Sequence, residues 1–213
     1  MPYKALLIGW YDAPYHGMED VQDIWEQMAA DLDLDMTVTD DTGAINADTL
    51  DTLDVLILYT TGGEIAGHQM DALVSFVQGG KALVGVHGAT IPLIDQARYV
   101  ELIGARFDTH PEQQDLDIQI VDPDHPITRG VQPFTIWDEL YLFHEGQPID
   151  VHVLAQTQSY EDRAIPVAWT REPGQGRMFY LSLGHGRKSF TNRAFQNLLK
   201  RGILWAMQRE GEL

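Results

Sequence analysis

The sequence predicts an α/β fold, a three-layer sandwich with a mostly parallel sheet, helices on both faces and an inserted antiparallel or edge-strand segment. Three observations predict it. The runs Ala5 to Gly9, Val55 to Tyr59, Ala82 to Val86 and Met178 to Leu183 are continuously apolar rather than alternating, as strands buried on both faces are. Stretches with the period of an amphipathic helix lie between the first of them. From about Arg106 to Thr170 the apolar pieces shorten and are broken by Asp-Pro, His-Pro and Gly-Gln turns.

Along the chain, the first strand is followed by Val21, Ile24, Trp25, Met28 and Leu32, which share one helical face, and by a short strand over Asp35 to Thr39. After the strand at Val55, a second helical face carries Met70, Leu73, Val74 and Val77 and leads to the strand at Ala82. The opening order is therefore β-α-β-β-α-β, the pattern of a doubly wound, flavodoxin-like sheet. The pieces Ile118 to Val121, Phe134 to Ile136, Val151 to Ala155 and Ile165 to Trp169 are expected as antiparallel or edge strands whose loops roof a site. After Gly174-Gln175-Gly176 comes the last strand. A closing helix follows, capped by Thr191 or Asn192 and turning Phe195, Leu198, Leu199, Ile203 and Leu204 inward. With 213 residues and neither linker nor charge block, one domain is expected over 1–213.

The formal charge of -18, from 32 acidic against 14 basic residues, repels phosphate backbones and anionic lipid, so nucleic acid and membrane are excluded as partners. A neutral small molecule such as a sugar fits this balance, and association with further copies of the chain stays open. The chain has no cysteine, which removes disulfides, thiolate zinc sites and cysteine nucleophiles together. Met1-Pro2-Tyr3-Lys4 runs straight into an apolar strand without the regions of a signal peptide, and no stretch has the length to cross a bilayer, so a cytoplasmic location is expected.

In a doubly wound sheet the ligand crevice lies beyond the carboxyl ends of the strands. Polar residues that directly follow the strand runs are therefore the candidates. The first run leads through Trp10-Tyr11-Asp12 to His16; the third ends in His87; the last ends in Gly184-His185-Gly186-Arg187; and the middle segment supplies Trp137-Asp138-Glu139-Leu140-Tyr141. His87 stands between Gly85 and Gly88 on a strand-to-loop turn, the layout of a nucleophile elbow that leaves its central side chain exposed. An imidazole there serves as base, metal ligand or nucleophile. His68 is expected at a helix start, His125 in a turn and His152 at a strand start, while His110 and His144 follow aromatic stretches able to fold over the crevice. There is no dinucleotide fingerprint, phosphate loop, zincin helix or serine elbow.

These motifs, taken in order, resemble the ThuA-like family, associated with trehalose utilisation. The resemblance rests on Val84-Gly85-Val86-His87-Gly88-Ala89, the Asp-His-Pro-Ile-Thr turn from Asp124, Asp138-Glu139-Leu140-Tyr141, Gly176-Arg177-Met178-Phe179-Tyr180 through Gly184-His185-Gly186, and the closing Phe190 to Trp205 helix. It covers nearly the whole chain. It implies a class I glutamine amidotransferase-like fold, in which an elbow cysteine works with a late histidine and a glutamate two residues beyond. On this chain the elbow is His87, the late histidine is His185 and the glutamate's place is taken by Arg187. Without a thiol no glutamyl thioester forms, so glutamine amidotransfer by that route is excluded.

The resemblance further implies carbohydrate catabolism, on a disaccharide or an oxidised sugar, by a hydrolase, lyase or isomerase type of reaction. In that reading His87 and His185 are an acid/base or metal-ligating pair and Glu139 a second catalytic carboxylate or orienter. Asp12, His16, Asp138, Tyr141 and Arg187 bind substrate hydroxyls or carbonyls. His16, His87 and His185 match a pocket for a divalent metal in some relatives, where zinc, manganese or nickel suits neutral imidazoles. The rival reading is a non-catalytic sugar-binding or regulatory subunit of a sugar oxidoreductase system.

Overall fold

The computed structural model describes residues 1–11, 16–91, 96–157 and 160–213. Its first part alternates strand and helix: β1 (Tyr3–Gly9), α1 (Gln22–Asp31), β2 (Leu34–Thr39), α2 (Ala47–Leu50), β3 (Val55–Tyr59), α3 (Gly67–Gln78), β4 (Ala82–Val86) and α4 (Gln96–Ile103). The middle part is β5 (Phe107–Thr109), β6 (Gln114–Ile120), β7 (Phe134–Asp138), β8 (Leu142–Phe143), β9 (His152–Thr157) and β10 (Pro166–Arg171). The chain returns through β11 (Arg177–Leu181) and ends with α5 (Arg187–Phe190) and α6 (Arg193–Ala206).

Among the described residues, nine strands form one sheet in the order β2-β1-β3-β4-β11-β10-β9-β6-β7. The strands from β2 to β11 are parallel, and the inserted segment extends that sheet antiparallel beyond β11. Strands β5 and β8 form a separate antiparallel ribbon.

Burial on both faces explains the continuous apolar runs. Leu7, Ile57, Val84 and Phe179 pack with Trp25, Leu198 and Ile203 on one side of the sheet. Leu6, Leu56, Leu83 and Tyr180 pack with Leu50, Leu73 and Tyr99 on the other. The alternation of side chains along each strand thus divides one apolar run between two cores.

Two local details differ from the sequence expectation, and a third decides between two alternatives it left open. The one-turn α2 stands between β2 and β3, opened by the Asn46 side chain accepting from the Thr49 N–H. The eight-residue α4 was not anticipated, because its apolar residues Tyr99, Val100, Leu102 and Ile103 span barely one turn, too few to show a period. Of the two proposed caps, Asn192 is the one used, accepting from the N–H groups of Ala194 and Phe195. Helix α5 and the turn after it also cover the outer edge of β7, where the Ser189 hydroxyl donates to the Trp137 carbonyl at 3.0 Å and the Asn192 amide donates to the Thr135 carbonyl at 3.1 Å.

Candidate metal centre

The sheet places its chemistry at one edge. His87 follows β4, Ser182 and His185 follow β11, and His16 lies in the connection from β1 to α1. From β11 to β7 there are four antiparallel steps, so β7 runs in the same sense as β11 and carries Asp138 and Glu139 to that edge.

Four of the sequence candidates converge. His16, His87, His185 and Glu139 each present one ligand atom, and these atoms all lie within 4.8 Å of one another. His16 Nε2 is 3.1 Å from His87 Nε2 and 2.9 Å from His185 Nδ1. Glu139 places Oε1 3.0 Å from His185 Nδ1, and Oε2 3.4 Å from His87 Nε2 and 3.9 Å from His16 Nε2. The ring centroids of His87 and His185 are 5.6 Å apart.

Two of the rings are held from behind. His87 Nδ1 lies 2.7 Å from the carbonyl of Ser182, which only accepts, so in the neutral ring the proton sits on Nδ1 and Nε2 offers its lone pair to the cluster. His16 Nδ1 is bonded to the Thr61 hydroxyl at 2.8 Å. His87 adopts a left-handed backbone, φ 49°, as an elbow residue does. The turn also needs Gly88, where a Cβ would lie 2.6 Å from the Thr60 carbonyl oxygen. The elbow was expected to leave its side chain exposed. Instead His87 is fully buried, because the ring of Tyr141 lies over it with centroids 4.2 Å apart.

Burial and proximity shape the charges. Desolvation pushes His16 down to about 4, with the neighbouring imidazoles adding to the shift and Glu139 opposing it. For Glu139 burial acts upward, but the bonds from His16, His185 and His87 outweigh it and hold the carboxyl well below the usual carboxylate range. The Tyr141 phenol is raised, chiefly by burial.

The remaining candidates separate. Asp12 lies outside the described residues. Asp138, expected to touch substrate, has no exposed surface and accepts three backbone N–H bonds. Arg187, expected at the sugar, instead forms a bidentate pair with Asp23 at 2.7 and 2.9 Å and donates to the Asp20 carbonyl. Tyr141 is wall rather than open surface. His110 does fold over the crevice, with Nδ1 3.8 Å from Glu139 Oε1 and its ring nearly parallel to Tyr141. His144 pairs with Asp108, and His152 with Asp122. Thr61 was missed, although Thr60-Thr61-Gly62-Gly63 follows β3 directly and the strand-end rule reaches it. Three surface cavities, of about 470, 490 and 480 Å³, are lined by none of the four cluster residues.

The family model that matches is ThuA, described as trehalose utilisation, over residues 7–206. A structure from Bacteroides uniformis described as a ThuA-like protein superposes with TM-score 0.80 at 20% identity, covering 96% of this chain and 91% of that one. One of the same description from Parabacteroides merdae gives TM-score 0.79 at 19% identity, covering 97% and 90%. A β-galactosidase from Bacillus circulans matches the whole chain with TM-score 0.67 at 12% identity, over 31% of its own length. At these identities the likeness is one of fold. No curated protein matches the chain. Among the described residues, no helix is long and apolar enough to cross a membrane.

Proposed function

Because the chain belongs to the ThuA family, whose description places it in sugar utilisation, we propose that it is a metal-dependent sugar-converting enzyme with His16, His87, His185 and Glu139 as the ligands of a divalent ion. One observation carries this reading: with all three rings neutral, no placement of the protons satisfies every contact of the cluster. If His16 Nε2 carries a proton, it donates to His87 Nε2, and then either it faces a second N–H on His185 Nδ1 or that atom turns a lone pair toward the Glu139 carboxylate. If it does not, two lone pairs face each other across the 3.1 Å between His16 and His87. A cation at the centre uses all four lone pairs at once.

The donor set fits such an ion. Three imidazole nitrogens and one carboxylate oxygen suit zinc, manganese or nickel, and a chain without cysteine has no thiolate to offer a softer metal. The backing contacts fit as well, since ligating histidines ordinarily bond their second nitrogen to a carbonyl, carboxylate or hydroxyl, as His87 does to Ser182 and His16 to Thr61. Such an ion supplies Lewis acidity toward a sugar hydroxyl or carbonyl oxygen. The chain's own groups do the rest: Tyr141 shields the buried face of His87 from water, and His110 stands beside Glu139 as a hydrogen-bonding group for a sugar hydroxyl. A neutral disaccharide such as trehalose, or its oxidised form, is the substrate class compatible with a surface of charge -18.

Elemental analysis of protein purified without chelator, followed by back-titration of chelated protein with zinc, manganese and nickel, tests this. One equivalent of ion is expected, lost in Glu139→Gln. Protein that neither carries nor takes up an ion, yet binds sugar, would leave the cluster as an acid/base site alone.

A further inference from the structure

We propose that Asp138 is the positioning residue of this centre, a buried carboxylate that sets His185 and Glu139 against each other while itself touching neither ion nor sugar. The inference rests on the metal reading above and assigns the group that builds the site. Asp138 ends β7 and has no exposed surface. Its Oδ1 accepts from the backbone N–H of Glu139 at 2.8 Å and of His185 at 3.1 Å, and its Oδ2 accepts from the backbone N–H of Gly184 at 2.7 Å. Three donors fill most of the acceptor capacity of a carboxylate, which is about four.

What matters is where those donors come from. Glu139 is the next residue, but Gly184 is 46 positions further along the chain, in the loop after β11. One side chain therefore fastens the segment bearing Glu139 to the segment bearing His185, and beyond this fastening Glu139 Oε1 meets His185 Nδ1 at 3.0 Å. The loop is shaped to make these bonds. Gly184 sits at φ 119°, where other residues are strained, and a Cβ there would meet side-chain atoms of Val86, Phe190 and Phe195 at 3.2–3.3 Å. A carboxyl group offers acceptors on both oxygens to the three donors, whereas an amide replaces one acceptor with an N–H₂ group that would face a backbone N–H. Asp138 and Glu139 thus divide the work of an acidic pair: the first holds the frame, the second faces the cluster.

The test is a cobalt(II) titration of wild type, Asp138→Asn, His185→Ala and the double variant, with a crystal structure of metal-free Asp138→Asn. Asp138→Asn is expected to bind cobalt about 10–100-fold more weakly, as loss of a supporting group around ligands does. The double variant should bind little worse than the weaker single one, because both changes remove the same ligand. In the crystal the contact between His185 and Glu139 should open beyond hydrogen-bond reach. A variant that keeps this contact and holds cobalt within twofold of wild type overturns the proposal, even if it melts earlier. If wild type takes no cobalt, the metal reading fails, and the crystal contact still decides the positioning role. If Asp138→Asn does not fold, amide exchange in wild type decides it. Slow exchange shared by the Glu139, Gly184 and His185 N–H groups supports the fastening, and exchange at open-loop rates overturns it.

Discussion

The hydroxyl of Tyr59 donates to the carbonyl of Gly184 at 3.1 Å, tying the end of β3 to the loop that carries His185, 125 residues further on. Both groups are buried, and burial raises the phenol pKa far out of the working range, so this donor never ionises. Tyr59→Phe leaves the ring packing with Trp25 and Phe190 in place and strands one buried carbonyl. The expected loss is about 1–2 kcal/mol in denaturant unfolding, together with a weaker hold on any ion at His185. Unchanged stability would mean that the loop finds another donor.

Gly88→Ala should cost more for its size than any surface change. The added Cβ would lie 2.6 Å from the Thr60 carbonyl oxygen and 2.9 Å from Thr61 Oγ1, the atom that backs His16. Backbone has to move to admit it. Overpacking of this kind costs about 1–3 kcal/mol, or about 2–4 °C in Tm for each kcal/mol in a chain of this size. Calorimetry checks the stability, and ion affinity should fall with it as Thr61 shifts.

Metal-free protein is expected to lose stability on acidification between pH 6.5 and about 4. In the unfolded chain His16 takes its proton at the ordinary value of 6.5, whereas in the folded chain burial holds it down to about 4. Within that window the unfolded state binds the proton and the folded state does not. Stability therefore falls as pH falls, by on the order of 3 kcal/mol for this group across the whole window. Glu139 acts in the same sense below its ordinary value of 4.5, because its folded pKa is lowered. Urea midpoints of chelated protein at pH 7.5, 6 and 5 measure the slope; a flat profile would show that the cluster is not dry.

No ammonia should be released from glutamine. The elbow position holds an imidazole, the sequence has no cysteine, and Arg187, at the position of the expected glutamate, is engaged with Asp23. A glutaminase assay at high protein concentration checks this, and turnover that disappears in His87→Ala would overturn it.

The sheet's parallel half was legible because β1, β3, β4 and β11 are buried on both faces and so cannot hide an alternating pattern. His87 and His185 were legible from the same runs, as the first polar side chains past the strand ends. The convergence of Glu139 with these histidines was expected from its place just after the Phe134 to Ile136 run, but its close contacts with them were not, since they depend on four antiparallel steps that carry β7 back to this edge, and no local pattern in the sequence encodes strand order. Glu139 was set apart as the catalytic carboxylate and Asp138 as a substrate binder, but nothing in the sequence marks Asp138 as buried. Neighbouring residues at the end of a strand point opposite ways, so two acids in succession meet different surroundings, and only the neighbours decide which one reaches the ring nitrogens. The burial of His87 was misjudged for a related reason: its glycines describe the turn, while the covering ring of Tyr141 comes from 54 positions away in the numbering of the chain.

Strand β4 lies beside β11 although the chain makes its whole antiparallel excursion between them, and the contact of His87 with Ser182 spans 95 residues, that of His16 with His185 spans 169. Such pairings form late, because distant segments must be brought together before any contact holds them. During synthesis, made from its amino end, the chain exposes His16 and His87 well before the residues that complete their setting emerge. A nascent chain stopped short of β11 would leave β4 as an open sheet edge with two unassembled imidazoles. Capture of an ion by all four residues would therefore report that the last third of the polypeptide has docked, and protein released from the ribosome would acquire the site as one of the closing events of its folding.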